Sequence, residues 1–216
     1  MVIAASSNSQ PVRPARTGVA AFDFDGTLAE RDTLLPFLAH ARGRRRLALA
    51  LAAQARTYRR DQDAAKADML RRLLAGDDPE RLAALGRDYA VGLHHLLRPE
   101  MAERVRWHRS EGHRLVIVSA SLGYYLRPLA DVLAFDHVIG VEMELGDDGR
   151  CTGAMLGQVN VRGPEKARRL TAWLDEQGLA REHCEVWAYG DSSGDDELLA
   201  MADHARWLGK RSARNP

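Results

Sequence analysis

The sequence predicts an α/β protein, a mostly parallel sheet covered by helices on both faces, with an all-helical block inserted after the first strand. Three observations predict it. Beyond Pro99, short apolar runs alternate with stretches of helical period. Residues 32–97 are instead dominated by Ala, Leu and Arg, with apolar positions three and four apart and no β-branched run. The first strand-like run ends in Asp, Gly and Thr, as a buried strand ends in a loop.

The elements follow in order. Residues 1–16, rich in Ser, Asn, Gln, Pro and Arg, read as a flexible tail without the apolar core of a signal peptide. Residues 18–24 form the first strand. Helices are expected near 33–41, 44–60, 62–75 and 79–97; Asp78-Pro79 supplies a cap followed by Pro at the first helical position, and Pro99 repeats that signal. A helix over 100–111 leads through Gly112 to a strand at 115–118 ending on Ser119. A helix over 124–133 comes next, then a strand over 138–145. The turn signal Asp147-Asp148-Gly149-Arg150 places a hairpin within 138–156. A helix over 164–177, a strand over 185–189, a helix over 195–201 and a short strand near 205–208 complete the chain. The domain boundaries that follow are a core of 17–31 and 99–210, an inserted helical cap of 32–98, and tails at 1–16 and 211–216.

Composition narrows the function. Of 216 residues 45% are hydrophobic, enough for a real core, and a formal net charge of +1 argues against a nucleic-acid binder. Cys151 and Cys184 lie far apart without metal-ligand spacing and read as reduced thiols. The longest strongly apolar stretch, 47–53, is too short to span a bilayer. A soluble, cytoplasmic protein is expected.

Ligands of open parallel sheets bind at the carboxyl ends of the strands. Three such ends carry suggestive polar groups: Asp23 to Thr27, Ser119, and Asp191 to Asp196, with Lys166 starting the helix before the last strand. Asp23 and Asp25 share a strand-end face if the strand continues, and two carboxylates so placed repel unless a hard cation such as Mg²⁺ joins them. Gly26 and Thr27 allow a tight turn whose amides and hydroxyl can hold phosphate oxygens. Each residue also has a plainer reading. A lone Asp-x-Asp is more often a polar turn. Asp195 can cap the following helix, and Ser119 can end its strand. Lys166 can be an ordinary surface lysine, although a cation is disfavoured at a helix N-terminus.

Together the segments resemble the haloacid dehalogenase-like superfamily. Phe22-Asp23-Phe24-Asp25-Gly26-Thr27-Leu28 resembles its first motif, and Val116-Ile117-Val118-Ser119 its second. Lys166 resembles the third, and Gly190-Asp191-Ser192-Ser193-Gly194-Asp195 the fourth. The insertion resembles the type-1 helical cap of subfamily IB, the phosphoserine phosphatase-like branch. The resemblance implies a Rossmann-like three-layer α/β/α core and a Mg²⁺-dependent phosphatase working through an aspartyl-phosphate. It implies Asp23 as nucleophile and Asp25 as general acid/base. Mg²⁺ would sit on Asp23, the Asp25 carbonyl and Asp191, with Asp195 ordering the metal's surroundings. Thr27, Ser119, Ala120 and Lys166 would bind phosphate.

The substrate expected is a small phosphorylated metabolite or lipid headgroup. Phosphoserine itself fits less well. Asp32 stands where the branch carries a Glu that contacts the substrate amine, Ala120 and Ser121 replace two glycines, and Gly194 replaces an Asn. The Ser-Leu-x-x-Arg-Val pattern is absent around residues 67–74. Arg42, Arg44, Arg45, Arg46, Arg56, Arg59 and Arg60 crowd the first half of the cap; they read as a solvated face or as a contact for an anionic membrane surface. A phosphotransferase or mutase of the superfamily and a non-catalytic phosphate-binding module are the alternatives.

Overall fold

A computed structural model describes residues 16–209, so apart from Arg16 the expected tails lie outside the described residues. Arg16 does not behave as tail: its guanidinium pairs with Asp203 at 2.9 Å.

Five parallel strands form one sheet in the order β3-β2-β1-β6-β7. They are β1 (Thr17–Phe22), β2 (Arg114–Leu122), β3 (His137–Val141), β6 (Cys184–Gly190) and β7 (His204–Trp207). Central β1 pairs with β2 on one side, Phe22 opposite Ile117, and with β6 on the other, Phe22 opposite Tyr189. Its last four residues and the middle of β2 are buried on both faces, hence their unbroken apolar runs. Helices α5 (Pro99–Ser110), α6 (Gly123–Leu133), α7 (Pro164–Glu176) and α8 (Asp196–Ala200) connect the strands.

Between β1 and β2 the chain makes α1 (Leu34–Arg42), α2 (Arg44–Tyr58), α3 (Gln62–Leu74) and α4 (Pro79–Leu93). Asp61 and Asp78 cap α3 and α4, accepting from the amides of Ala64 and Glu80. The chain leaves and re-enters the sheet region through a neck. Ala29 and Leu97 form an antiparallel bridge, Glu30 N donates to Leu96 O at 2.9 Å, and Arg98 N donates to Leu28 O at 2.8 Å. This neck corrects the expected helix over 79–97. Helix α4 stops at Leu93, a 3₁₀ turn covers His94–Leu96, and Leu97 and Arg98 go to the bridge, as Pro99 disfavours a helical residue before it.

Two further boundaries differ from expectation. The strand over 138–145 is two strands: β3, and β4 (Met143–Leu145), which pairs antiparallel with β5 (Cys151–Met155) outside the main sheet. The expected hairpin is therefore present, closed by Gly149 at φ 74°. It braces the insertion, since Cys151 N donates to Asp77 O and Gly76 N to Cys151 O. A Cβ on Gly153 would lie 2.6 Å from Arg71 Cα, so only glycine lets β5 approach α3 so closely. Strand β2 runs past Ser119 to Leu122, with its register shifting between Val118 and Leu122. That irregularity sets Ser119, Ala120 and Ser121 at the carboxyl edge.

Among the described residues no helix is long and apolar enough to cross a membrane.

Candidate active site

Strand β1 ends where Asp23 N donates to Tyr189 O, and the chain then folds back, with Thr27 N and Ala29 N both donating to Phe24 O. Gly26 turns the corner at φ 82°, and a Cβ there would meet the Asp191 carboxylate at 2.2 Å. The loops after β1 and β6 can therefore touch only through a glycine.

Touching brings three carboxylates together. Asp23, Asp191 and Asp195 each offer an oxygen, all within 4.8 Å of one another. Lys166, in the first turn of α7 and 2% exposed, donates to Asp23 Oδ1 at 2.6 Å and to Asp195 Oδ1 at 2.5 Å. Burial alone would lower its pKa, but the two carboxylates outweigh that and raise it, so Lys166 is held as a cation. Burial raises Asp23 most; Lys166 pulls it back, Asp195 and Asp25 add to the rise, and the balance is about 7. Asp191 is also raised, by burial and then by Asp195.

Asp195 does not cap α8 with its side chain. Oδ2 instead accepts from Asp191 N, Ser192 N and Ser192 Oγ at 3.0–3.2 Å, while Oδ1 holds Lys166. With both oxygens engaged it is a fixed support. Among the described residues Asp23 keeps Oδ2 free of these bonds, and Asp191 receives only the Thr27 hydroxyl, at 3.3 Å on Oδ1. Thr27 thus differs from its expected place. It is fully buried, its hydroxyl is turned to Asp191, and it is not on the wall of the cleft. Two hard oxygen donors beside a third buried carboxylate, with pKa values raised by burial and mutual repulsion, are a donor set that fits Mg²⁺.

Asp25 faces the other way, toward the insertion. Its Oδ1 accepts from Thr33 N at 2.8 Å and Thr33 Oγ1 at 2.6 Å, and its Oδ2 accepts from the Ser121 hydroxyl. Those three bonds favour the ionised form, but burial outweighs them and raises Asp25 to about 6. Thr33 is itself held by the Tyr125 hydroxyl at 3.1 Å, and its carbonyl accepts from Tyr89.

A cleft of about 590 Å³ opens over these groups, with Asp23, Asp25, Ser119, Ala120, Lys166 and Asp191 in its wall. Ser119 Oγ accepts from Ser121 N, and Ala120 O accepts from the Lys66 ammonium. Asp32 also lines the cleft, exposed, with its Oδ1 taken by Leu35 N at 3.0 Å as a cap on α1. Of the arginine cluster, Arg44, Arg45, Arg46, Arg59 and Arg60 are exposed, whereas Arg42 is spent on an ion pair with Asp77.

Thr33, Ser121, Lys66, Asn160 and Gln54 reach the site without being singled out as site residues by the sequence. Lys66 of α3 donates to Asn160 Oδ1 at 2.6 Å, and Asn160 Nδ2 donates to Asp63 at 2.7 Å, tying α3 to the loop before α7. Burial lowers Lys66 to about 8. The scarcity of lysine was the available signal for Lys66, and Gln54 stands out as a lone amide in the Ala/Leu run of α2.

A parallel α/β sheet with a lysine-bridged carboxylate cluster at its carboxyl edge, roofed by inserted helices, defines a class of enzyme core. The chain belongs to the haloacid dehalogenase-like hydrolase family, whose model matches residues 20–200. It is 35% identical to Protein CicA of Caulobacter vibrioides over 192 residues, covering 86% of this chain and 83% of that one. It is 28% identical to a histidinol-phosphatase of Neisseria meningitidis over 130 residues, 59% of this chain and 58% of that protein. A solved structure, a protein of unknown function from Bordetella pertussis Tohama I, superposes with a TM-score of 0.74 at 27% identity, covering 88% of this chain and 89% of that one.

Proposed function

We propose that this hydrolase is a Mg²⁺-dependent phosphatase that removes the phosphoryl group from a small phosphomonoester through an aspartyl-phosphate on Asp23. One observation carries the reading: a buried lysine bridges Asp23 to Asp195 beside Asp191, while a second carboxyl with a raised pKa, Asp25, faces the same cleft. Names of relatives, a histidinol-phosphatase among them, support the same class.

In the first half-reaction an Asp23 oxygen bonds to phosphorus as the ester oxygen departs with the proton of Asp25. In the second, Asp25 takes a proton from water, water oxygen bonds to phosphorus, and phosphate leaves with Asp23 restored. A pKa of about 6 suits both transfers near neutrality. Lys166 and Ser119 hold phosphoryl oxygens, and Ala120 contributes its backbone at the same edge. Asp23 and Asp191, with the Asp25 carbonyl, would hold Mg²⁺, which supplies charge neutralisation at the phosphoryl oxygens. Asp195 fixes Lys166 and the Asp191 loop. Residues 32–98 act as a cap on the core of 17–31 and 99–209, pivoting on the neck, and select the leaving group. Two buried cysteines, both free, suit the reducing cytoplasm.

Asp23→Asn with Mg²⁺ present is expected to abolish phosphate release from 4-nitrophenyl phosphate while leaving the thermal midpoint within a few degrees. Turnover retained in that variant rules the mechanism out.

A further inference from the structure

The cap side of the cleft carries a chemistry of its own. Its inner wall is apolar, with Leu34 and Met69 buried, and Leu51 and Tyr58 extend that surface toward solvent. The whole cleft, catalytic end included, holds about 590 Å³, within the range that encloses ligands of drug size, about 300–1,000 Å³. Its inner charge is the half-buried Lys66, and Asp63 beside it is exposed. Lys66 donates to Ala120 O and Asn160, and Asp63 accepts from Asn160, so the pair is closed on itself through one amide. The remaining charged groups near this side are Asp32 and Arg59, both exposed, and the half-buried Arg162, whose guanidinium donates to Ser193 Oγ at 3.5 Å.

One inner polar group is not consumed. Gln54 of α2 lines the cleft at 4% exposure, and its Nε2 has no hydrogen-bond partner among the described residues. A buried amide donor without a partner is costly, and an acceptor brought by a ligand recovers that cost.

We infer that this cleft takes a phosphomonoester whose leaving group is mainly apolar and carries a hydrogen-bond acceptor for Gln54 Nε2. The inference rests on the phosphatase reading and gives it a substrate class. The apolar stem packs on Leu34, Met69 and the Tyr58 ring, and the acceptor sets its depth.

The test uses the full chain with Mg²⁺ and four substrates: phosphoserine, hexyl phosphate, and hexyl phosphates bearing one ketone at carbon 4 or carbon 5. The better ketone is expected to exceed both phosphoserine and hexyl phosphate about tenfold in kcat/KM. In Gln54→Leu the ketone-to-alkyl ratio falls to about one, and in Gln54→Glu it falls below one, because an acceptor then faces an acceptor. Each ratio is read within a single protein, so partial loss of folded material in a variant cancels. Phosphoserine as the preferred substrate, or a ratio unchanged in both variants, overturns the inference. Calorimetry with the matching alkyl and oxoalkyl phosphonates reads the same ratio as affinity. If no substrate releases phosphate, the catalytic reading falls by itself and the pocket is judged by those affinities.

Discussion

Replacing Lys166 by Met keeps most of the side-chain stem and deletes the ammonium that sits 2.6 Å from Asp23 and 2.5 Å from Asp195. Both carboxylates stay behind, at 6% and 0% exposure, without their shared cation. Breaking a buried ion pair from one side costs about 3–5 kcal/mol. For a chain of this size that lowers the thermal midpoint by roughly 6–20 °C, at about 2–4 °C per kcal/mol. The loss also depends on pH. Freed of Lys166, which pulls its pKa down, the Asp23 carboxyl rises further, so the folded state keeps a proton that the unfolded chain releases above about pH 4. Stability of the variant therefore falls as pH climbs from there through the raised value of Asp23. The wild type shows only the milder fall that goes with Asp23 at about 7. Urea unfolding in the presence of chelator at pH 5 and pH 8 measures both effects, the gap between the proteins being wider at pH 8. A gap under about 1 kcal/mol at pH 8, or one that does not widen with pH, refutes the bridged geometry. The same substitution made in an Asp195→Asn background should cost less, because only one buried carboxylate is then stranded.

Two further outcomes follow from the same geometry. Thr33→Val removes a hydroxyl that bonds the ionised form of Asp25 and should raise that carboxyl above about 6, moving the alkaline limb of kcat/KM up by about one unit; an unmoved limb means that Asp25 is not the proton donor. His108 is fully buried against the Tyr189 hydroxyl, and burial, then His113 and Arg104, holds its pKa at about 3. The unfolded chain takes that proton below about pH 6.5 and the folded chain refuses it, so stability drops by about 1.4 kcal/mol per pH unit as pH falls from 6.5 toward 3. In urea melts the curve for His108→Gln should be flatter over that window, and parallel curves count against it.

Much of this site was readable from residue order because its groups fall at strand ends, and strand ends show in a sequence. Asp23, Ser119 and Asp191 follow apolar runs directly, and Lys166 opens a helix after Gly163 and Pro164. What stayed hidden depends on which way loops and helices face. Thr33 belongs to a connection, and nothing local says that its hydroxyl points back eight residues to Asp25. Ser121 read only as a departure from a glycine pair, yet the register shift in β2 turns it toward the same carboxylate. Lys66 meets Asn160, 94 residues later, and helical period alone cannot say which stripe of α3 looks at the core. The missed strand break at Glu142 has a similar origin, because both halves are apolar and only tertiary pairing separates them.

The neck between Ala29 and Leu97 gives Asp25 an unusual dependence. Two of the three donors that favour its ionised form come from Thr33, four residues beyond the bridge and already inside the inserted helices' territory. The proton affinity of the acid is thus written partly by the roof and partly by the floor of the cleft. A swing of the roof that carries Thr33 away removes two of those donors but also lets water reach a carboxyl whose burial is the larger effect, so the open cleft lowers the proton affinity of Asp25 and docking the roof raises it. Closure and proton uptake are then a single mechanical event, and the closed, water-poor cleft is the one in which that carboxyl keeps its proton.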